Sequence, residues 1–164
     1  MMIFAYIIAI LHIYYIARSI LYFWLWASDQ EPENNKKAPL DENLPVYTIL
    51  CPMFKEERVV EQLINNLSNM SYDKKKMQII ILLEDNDIKV IDTVSKALPY
   101  YSDLWIDVVI CPAPPKGQNR TKPRALNFAL PHIAGDYVVI YDAEDEPEVD
   151  QLRKAVYMFQ TTKH

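Results

Sequence analysis

The feature that most constrains the fold is an alternation of short apolar runs with segments of helical periodicity, which starts at Leu44. A near-continuous apolar run is typical of a parallel strand that is covered on both faces. The predicted strands are residues 46–51, 78–83, 105–110 and 137–141, and the predicted helices are residues 57–70, 88–98, 123–133 and 148–160. Repeated strand–helix units predict an α/β fold with a parallel sheet between two helical layers.

The first 28 residues are almost entirely apolar and differ from the rest of the chain. A helix needs about 20 apolar residues to cross a bilayer, and residues 3–17 carry no formal charge. Arg18 can extend its guanidinium to the nearer headgroups, where the aromatic residues that follow it form an interfacial belt. We therefore predict three segments: a transmembrane helix with its aromatic belt (1–28), a polar linker (29–43) and a folded domain (44–164).

The basic residues near this predicted helix suggest its orientation. Arg18, Lys36 and Lys37 follow the centre of the span and nothing basic precedes it. The positive-inside rule predicts a single-pass protein of the cell membrane with a cytoplasmic C-terminal domain. A cleaved signal peptide is disfavoured, because Trp24 and Trp26 stand where small residues are needed. An amphipathic helix packed on the domain is disfavoured because apolar residues cover all of its sides.

The composition excludes several classes of site. The chain has only two glycines, Gly117 and Gly135, so neither a Gly-x-Gly-x-x-Gly fingerprint nor a glycine-rich phosphate loop can be present. A net charge of −5 argues against a nucleic-acid partner, which requires a basic surface. Cys51 and Cys111 are not spaced as a metal-binding pair, and we predict two buried, reduced thiols.

Charged residues follow the predicted strands at the points where the strands end. The carboxyl ends of parallel strands share one edge of the sheet, where ligands bind in open α/β folds. The acids at this edge are Glu56, Glu57, Glu84, Asp85, Asp87, Asp142, Glu144 and Asp145, and the cations are Lys55, Lys116, Arg120, Lys122 and Arg124. Carboxylates bind divalent cations, and cationic side chains bind phosphates. The pattern predicts a site for a nucleotide diphosphate and a metal.

Some acids near this edge have a simpler explanation. Glu146, Glu148 and Asp150 precede or begin the last predicted helix, where acids complement the helix dipole. Glu57 and Asp87 are open to the same interpretation as helix-start residues. Asp142 is not, because it follows a strand directly.

Four motifs, in order, resemble those of family 2 glycosyltransferases with the GT-A fold. They are Cys51-Pro-Met-Phe-Lys-Glu56, Leu83-Glu-Asp85, Lys122-Pro-Arg-Ala-Leu-Asn127 and Asp142-Ala-Glu-Asp145. The resemblance covers about residues 45–160 and points to the membrane-linked branch with cellulose-synthase-like and N-acetylglucosaminyltransferase-like enzymes. It implies a Rossmann-like nucleotide-binding half with a parallel sheet, a UDP-sugar donor, and Mg²⁺ or Mn²⁺ as cofactor.

The resemblance also implies roles for residues that would bind the nucleotide. Pro52 and Glu56 match the motif that opens the nucleotide pocket after the first strand. Asp85, or alternatively Glu84, matches the acid that hydrogen-bonds the uracil ring. Lys122 matches a lysine that lies near the base and the diphosphate.

The metal ligands are implied by the same resemblance. Asp142 and Glu144 match the outer positions of an Asp-x-Asp motif that binds the metal and the ribose. Because Asp145 follows Glu144 directly, the second metal ligand stays open between these two residues.

The resemblance also implies an acceptor-side half with a catalytic base carboxylate, followed in the processive branch by a Gln-x-x-Arg-Trp motif. No tryptophan of this chain follows an arginine. We therefore expect no catalytic base here, and interpret the chain as the donor-binding half, or a truncated fragment, of an enzyme acting on a polysaccharide or glycan acceptor. A separately encoded C-terminal half would be its partner.

Other functions stay open as alternatives. The first is an inactive remnant that binds sugar nucleotides without transferring the sugar. A nucleotidyltransferase is disfavoured because residues 52–58 contain no glycine, and an aspartate-based phosphatase because position 144 is Glu rather than Asp.

Overall fold

The computed structural model of the chain describes residues 2–28 and 44–162. The chain divides into two compact units, of which the first contains the N-terminal helix and the second is an α/β domain. The predicted polar linker, residues 29–43, lies outside the described residues, as do the last two residues of the predicted domain.

The described part of the first unit is one long helix, α1 (Met2–Ser28). A helix of this size is about 40 Å long, which exceeds the bilayer core of about 30 Å. Its segment Tyr6–Ala27 has a mean hydropathy of 1.5, and among the described residues this is the one helix long and apolar enough to cross a membrane. The guanidinium of Arg18 lies 5.2 Å from the centre of the Tyr22 ring, so an aromatic face one turn away contacts its charge.

Four parallel strands form the sheet of the second unit. They are β1 (Tyr47–Met53), β2 (Met77–Glu84), β3 (Trp105–Cys111) and β4 (Tyr137–Ile140). Their order is β3-β2-β1-β4, and Tyr47 of β1 pairs with Met77 on one side and Tyr137 on the other. The predicted parallel α/β sheet is confirmed. Because β1 lies between β2 and β4, the residues that follow these three strands come together at one edge.

Helices cover both faces of the sheet. They are α2 (Val60–Ser68), α3 (Ile88–Ala97), α4 (Lys122–Ala129) and α5 (Gln151–Thr161). Helices α2, α3 and α5 contribute to the larger core, in which Ile79 and Ile81 of β2 are fully buried. Helix α4 covers a smaller core that includes Leu50, Ile80 and Leu82. Alternate residues of β2 therefore enter different cores, which explains its continuous apolar sequence.

Two prolines explain two of the element boundaries that differ from the prediction. Helix α4 ends at Ala129 and passes into a 3₁₀ turn, because Pro131 has no N–H to continue the α-helical bonding. Strand β1 continues through Pro52, further than predicted. Proline is tolerated there because β4 pairs with β1 only as far as Leu50, so no ladder bond is lost on that side.

A buried polar network joins the amino-terminal edge of the sheet to the connection before β4. Thr48 Oγ1 donates to Gln78 Oε1 at 2.7 Å, and Gln78 Nε2 donates to Asp107 Oδ2 at 2.8 Å. The backbone N–H groups of Ala134 and Gly135 donate to Gln78 Oε1 and Thr48 Oγ1, both at 2.9 Å. Because Thr48 and Gln78 are buried, these internal hydrogen bonds replace the hydrogen bonds to water that the polar groups lose on folding.

Candidate functional site

A cavity of about 390 Å³ opens at the carboxyl-terminal edge of the sheet. Its volume lies within the range of small-ligand sites. The lining comes from the ends of β1 and β2, the segment after β4 and the start of α4, and comprises Pro52, Met53, Phe54, Glu56, Leu82, Glu84, Arg120, Thr121, Lys122, Ala125, Asp142, Ala143 and Glu144. The cavity therefore combines carboxylates and cationic side chains with an apolar floor.

The turn after β1 brings an aromatic ring and a carboxylate to the cavity. Phe54 is 42% exposed, and its N–H donates to Glu56 Oε2 at 3.4 Å. Burial raises the pKa of Glu56, and the nearby charges of Asp142 and Glu144 raise it further against the opposing hydrogen bond from Phe54. Glu56 therefore lies within electrostatic reach of the acids that follow β4.

Arg120 bridges the two acids at the tip of β2. One guanidinium nitrogen pairs with Glu84, and another lies 2.5 Å from Asp85 Oδ1. The N–H of Ala113 donates to Asp85 Oδ2 at 2.7 Å. The hydrogen bond from Arg120 holds the pKa of Asp85 below its ordinary value of 3.8. The loop after β3 is thus tied to the tip of β2, with Glu84 facing the cavity and Asp85 outside its lining.

The start of α4 presents two cationic side chains to this edge. Thr121 is the N-cap residue, and its hydroxyl accepts the N–H of Arg124 at 3.4 Å, which is a common way to begin a helix. Lys122 pairs with Asp142 of the segment after β4. Arg124 Nη1 is buried without a hydrogen-bond partner and lies 3.9 Å from Glu84 Oε2. The cations at the start of α4 therefore pair with acids from the segment after β4 and the tip of β2.

A closed turn follows β4. The N–H of Asp142 donates to Asp145 Oδ2 at 2.7 Å, and the N–H of Asp145 donates to the carbonyl oxygen of Asp142 at 3.0 Å. The carboxylate of Asp145 is thus engaged within the turn and is not part of the cavity lining, whereas Asp142 and Glu144 belong to that lining.

Comparison with known proteins identifies the same family as the four sequence motifs. The model of the family described as Glycosyl transferase family 2 matches residues 48–164, which is most of the chain. The chain belongs to glycosyltransferase family 2.

The proteins to which the chain is similar differ in their described activities. The chain is 29% identical to the probable glycosyltransferase YdaM of Bacillus subtilis, over 71% of this chain and 26% of that protein. It is 26% identical to the poly-beta-1,6-N-acetyl-D-glucosamine synthase of Staphylococcus aureus, over 93% of this chain and 34% of that protein. The mannosyltransferase PcManGT from Pyrobaculum calidifontis, solved with GDP-Man and Mn²⁺, superposes with a TM-score of 0.65 at 27% identity, over 84% of this chain and 38% of that one. The chain therefore spans less than two-fifths of the length of each of these relatives.

The donor atoms of this family 2 chain fit one kind of metal site. Within residues 2–28 and 44–162, no group of three or more His, Cys, Asp or Glu side chains is placed to hold a metal. Asp142 and Glu144 nevertheless both line the cavity. Mg²⁺ in nucleotide sites commonly takes one or two carboxylates and completes its shell with phosphates and water, and Mn²⁺ favours similar oxygen ligands. The two carboxylates therefore fit a cation that is shared with a diphosphate. Cys51 does not fit as a ligand, because it is fully buried and is not part of the cavity lining.

The predicted site residues are largely brought together. Six of the eight line the cavity, namely Pro52, Glu56, Glu84, Lys122, Asp142 and Glu144, and Asp85 and Asp145 do not. Phe54, Arg120 and Thr121 also line it and carry no individual role in the sequence-based prediction. Their signals are an aromatic residue between Pro52 and Glu56, and an arginine directly before a helix cap.

Proposed function

We propose that this family 2 glycosyltransferase chain binds a UDP-sugar donor together with Mg²⁺ or Mn²⁺. The observation that carries the proposal is the meeting of Asp142 and Glu144 with Arg120 and Lys122 at one cavity. A sugar nucleotide needs this combination, because its diphosphate requires cations and its base requires polar groups beside an apolar surface. The GDP-Man and Mn²⁺ of the Pyrobaculum mannosyltransferase support this class of ligand.

The base of the donor is proposed to lie between the turn after β1 and the tip of β2. The exposed ring of Phe54 offers a surface on which a base can stack. Asp85, or Glu84, can accept the ring N–H of uracil, while Arg120 can donate to a carbonyl oxygen beside it. Guanine also has a ring N–H next to a carbonyl oxygen, whereas the corresponding ring nitrogens of cytosine and adenine carry no hydrogen. UDP and GDP are therefore the two nucleotides to compare.

The diphosphate is proposed to lie between Lys122 and the turn after β4. Asp142 and Glu144 would hold the cation, which supplies Lewis acidity that neutralises the charge of a leaving diphosphate. We assign the second ligand to Glu144 rather than Asp145, because the carboxylate of Asp145 holds the turn closed. Lys122 is paired with Asp142, and its flexible ammonium group can move to a phosphate oxygen when the donor enters.

Glycosyl transfer to a polysaccharide or glycan acceptor is proposed for the whole protein, since this chain spans only part of its relatives. In that reaction the sugar–phosphate bond breaks and the diphosphate gains negative charge, which Lys122 can stabilise. Radiolabelled donor separates two outcomes. Appearance of label on an acceptor supports transfer, and binding without any transfer supports a nucleotide-binding remnant.

Helix α1 is proposed to anchor the protein in the cell membrane as a single span with a cytoplasmic domain. Its length and hydropathy support the span, and the basic residues after its centre support the orientation. Deletion of residues 2–28 is expected to move the protein from the membrane fraction to the soluble fraction. Continued membrane association of the deletion variant would contradict the assignment.

Asp142→Asn tests the metal-dependent site. The loss of a charged ligand is expected to weaken UDP binding in Mn²⁺ by more than about tenfold, because even indirect partners of metal ligands contribute that much. Isothermal titration calorimetry with Mn²⁺ and with EDTA measures the effect. Asp103→Asn, at an exposed acid outside the cavity lining, is the control and should bind UDP normally. If Asp142→Asn binds UDP as tightly as wild type, Asp142 is not a ligand of the metal. If wild type binds GDP more tightly than UDP, the proposed donor is a GDP-sugar rather than a UDP-sugar.

A further inference from the structure

The turn after β1 contains an unusual backbone conformation. Lys55 has a φ of 61° and, among the described residues, is the one non-glycine residue with a positive φ. A residue with a Cβ adopts this left-handed conformation at a cost equivalent to about a tenfold change in an equilibrium constant. Such conformations persist only where neighbouring contacts enforce them.

Asp87 provides a contact of that kind. The N–H of Lys55 donates to Asp87 Oδ2 at 2.5 Å, and Asp87 is only 8% exposed. Asp87 lies between β2 and α3, where its own N–H donates to the carbonyl of Glu84 at 3.0 Å and its carbonyl accepts the N–H of Ile91 at 3.1 Å. Both backbone polar groups of Asp87 are therefore hydrogen-bonded, and its carboxylate accepts the N–H of Lys55 from a fixed backbone position.

The side chain of Asp87 is not explained by the helix that it precedes. Asp87 occupies the N-cap position of α3, where an aspartate commonly accepts an N–H of the first turn. No side-chain capping bond is formed there. A role at the start of the helix therefore does not explain why the carboxylate of Asp87 is buried. The hydrogen bond that it accepts from Lys55 does.

The hydrogen bond between Lys55 and Asp87 affects the two residues that flank Lys55 in the chain. Phe54 and Glu56 line the cavity, and Lys55 Nζ lies 4.9 Å from the centre of the Phe54 ring. We infer that Asp87 is a positioning residue, which holds Lys55 in the left-handed conformation and thereby sets the Phe54 ring and the Glu56 carboxylate at the wall of the nucleotide cavity. The inference rests on the proposed function, and Asp87 acts through the turn because it is not part of the lining.

Variants of the intact chain in detergent test this role. Asp87→Ala is expected to remove the hydrogen-exchange protection of the Lys55 amide, measured by NMR, and to weaken UDP binding in Mn²⁺ about tenfold. Adding Lys55→Gly to Asp87→Ala is expected to restore most of the affinity, because glycine adopts a positive φ without a Cβ penalty. A role in packing alone would not be repaired by removing a second side chain.

Two further variants serve as controls. Asp136 Oδ2 also accepts a backbone N–H, that of Val46 at 3.2 Å, but at the opposite edge of the sheet. Asp136→Ala should therefore lower thermal stability and leave UDP affinity unchanged. Asp87→Asn keeps an acceptor oxygen and should retain most of the affinity. Asp87→Ser, whose hydroxyl is too short to reach Lys55, replaces the alanine variant if that variant does not fold.

The results distinguish the inference from the proposed function. Wild-type affinity in Asp87→Ala, or a loss that Lys55→Gly does not restore, would overturn the positioning role while leaving nucleotide binding intact. Wild-type protein that binds neither UDP nor GDP would overturn the proposed function, and the inference with it, before any variant is compared.

Discussion

Polar side chains lie at both edges of the sheet, but they have different kinds of partners at the two edges. At the amino-terminal edge, Thr48 and Gln78 are buried and bond to each other and to backbone N–H groups before β4. At the carboxyl-terminal edge, Glu84 pairs with Arg120, and Asp142 pairs with Lys122. The partners at the amino-terminal edge are short or buried side chains and backbone N–H groups, whereas those at the carboxyl-terminal edge are long side chains from one loop and the start of α4.

This difference determines which edge can accept a ligand. A buried polar group that loses its partner costs more free energy than the bond itself contributed, so the first network cannot open without damage to the fold. The ion pair of Lys122 and Asp142 is exposed, and the ammonium group of Lys122 lies on a flexible stem, so it can exchange this carboxylate for a phosphate. The amino-terminal edge therefore stabilises the domain, while the carboxyl-terminal edge keeps polar groups available for binding.

The largest expected effect is on stability, from Gly135→Ala at the amino-terminal edge. A Cβ at Gly135 would lie 2.6 Å from the backbone nitrogen of Thr48 and 2.7 Å from its Oγ1. Because the neighbour is backbone, we expect a loss of about 3 kcal/mol in the free energy of unfolding, measured by chemical denaturation. Gly117→Ala is the control: nothing lies within 4 Å of the added atom, but φ is +89°, so about 1 kcal/mol is expected. Equal losses would contradict the contrast between the edges.

A smaller loss is expected from Arg120→Gln at the carboxyl-terminal edge. The substitution leaves the carboxylate of Glu84, whose side chain is 8% exposed, without its closest cation. We expect the melting temperature to fall by about 5 °C, less than for Gly135→Ala, together with weaker UDP binding. Arg120→Lys keeps the charge but not the planar fork that reaches both acids, so it should give an intermediate result. An unchanged melting temperature in Arg120→Gln would show that the pair contributes only to binding.

The same pair predicts a pH dependence. Arg120 lowers the pKa of Asp85 below 3.8, so the folded state binds this proton less readily than the unfolded state. The resulting contribution to stability is present above pH 3.8 and disappears as the pH falls through the lowered value. Denaturation midpoints measured from roughly pH 5 to pH 2 should fall less steeply in Arg120→Gln than in wild type, because the variant has less of this contribution to lose. Parallel curves would contradict a lowered pKa of Asp85.

The sheet and its shared edge were predictable because they depend on strong, local signals. Apolar runs of strand length identified four strands, and parallel strands end on the same side, which placed Asp142 at the same edge as the charged residues after the other strands. The neighbourhood of β4 and β1 came only from the structure. Helix ends were less predictable. Helix α2 begins at Val60 rather than at residue 57, because the turn that contains Lys55 continues first. Lysine carries no sequence signal for a positive φ.

The pairing of side chains at the site was not predictable, because it depends on contacts between distant segments. Side chains alternate along a strand, so Glu84 shares the cavity face with Leu82 while Asp85 does not. Motif resemblance treated these two acids as alternatives. Their common partner, Arg120, lies more than thirty residues away, in a loop without strand or helix periodicity.

The smallest effect on stability is expected from Lys122→Met, which sharpens the comparison. The side chains of Lys122 and Asp142 are 46% and 55% exposed, and exposed ion pairs contribute little. The free energy of unfolding should therefore change by less than about 0.5 kcal/mol. UDP binding should nevertheless weaken about tenfold, because a lost charged contact to the diphosphate is worth roughly that much. Calorimetry on a variant with an unchanged melting temperature measures this directly. A stable Lys122→Met variant that binds UDP as tightly as wild type would contradict a contact between Lys122 and the diphosphate.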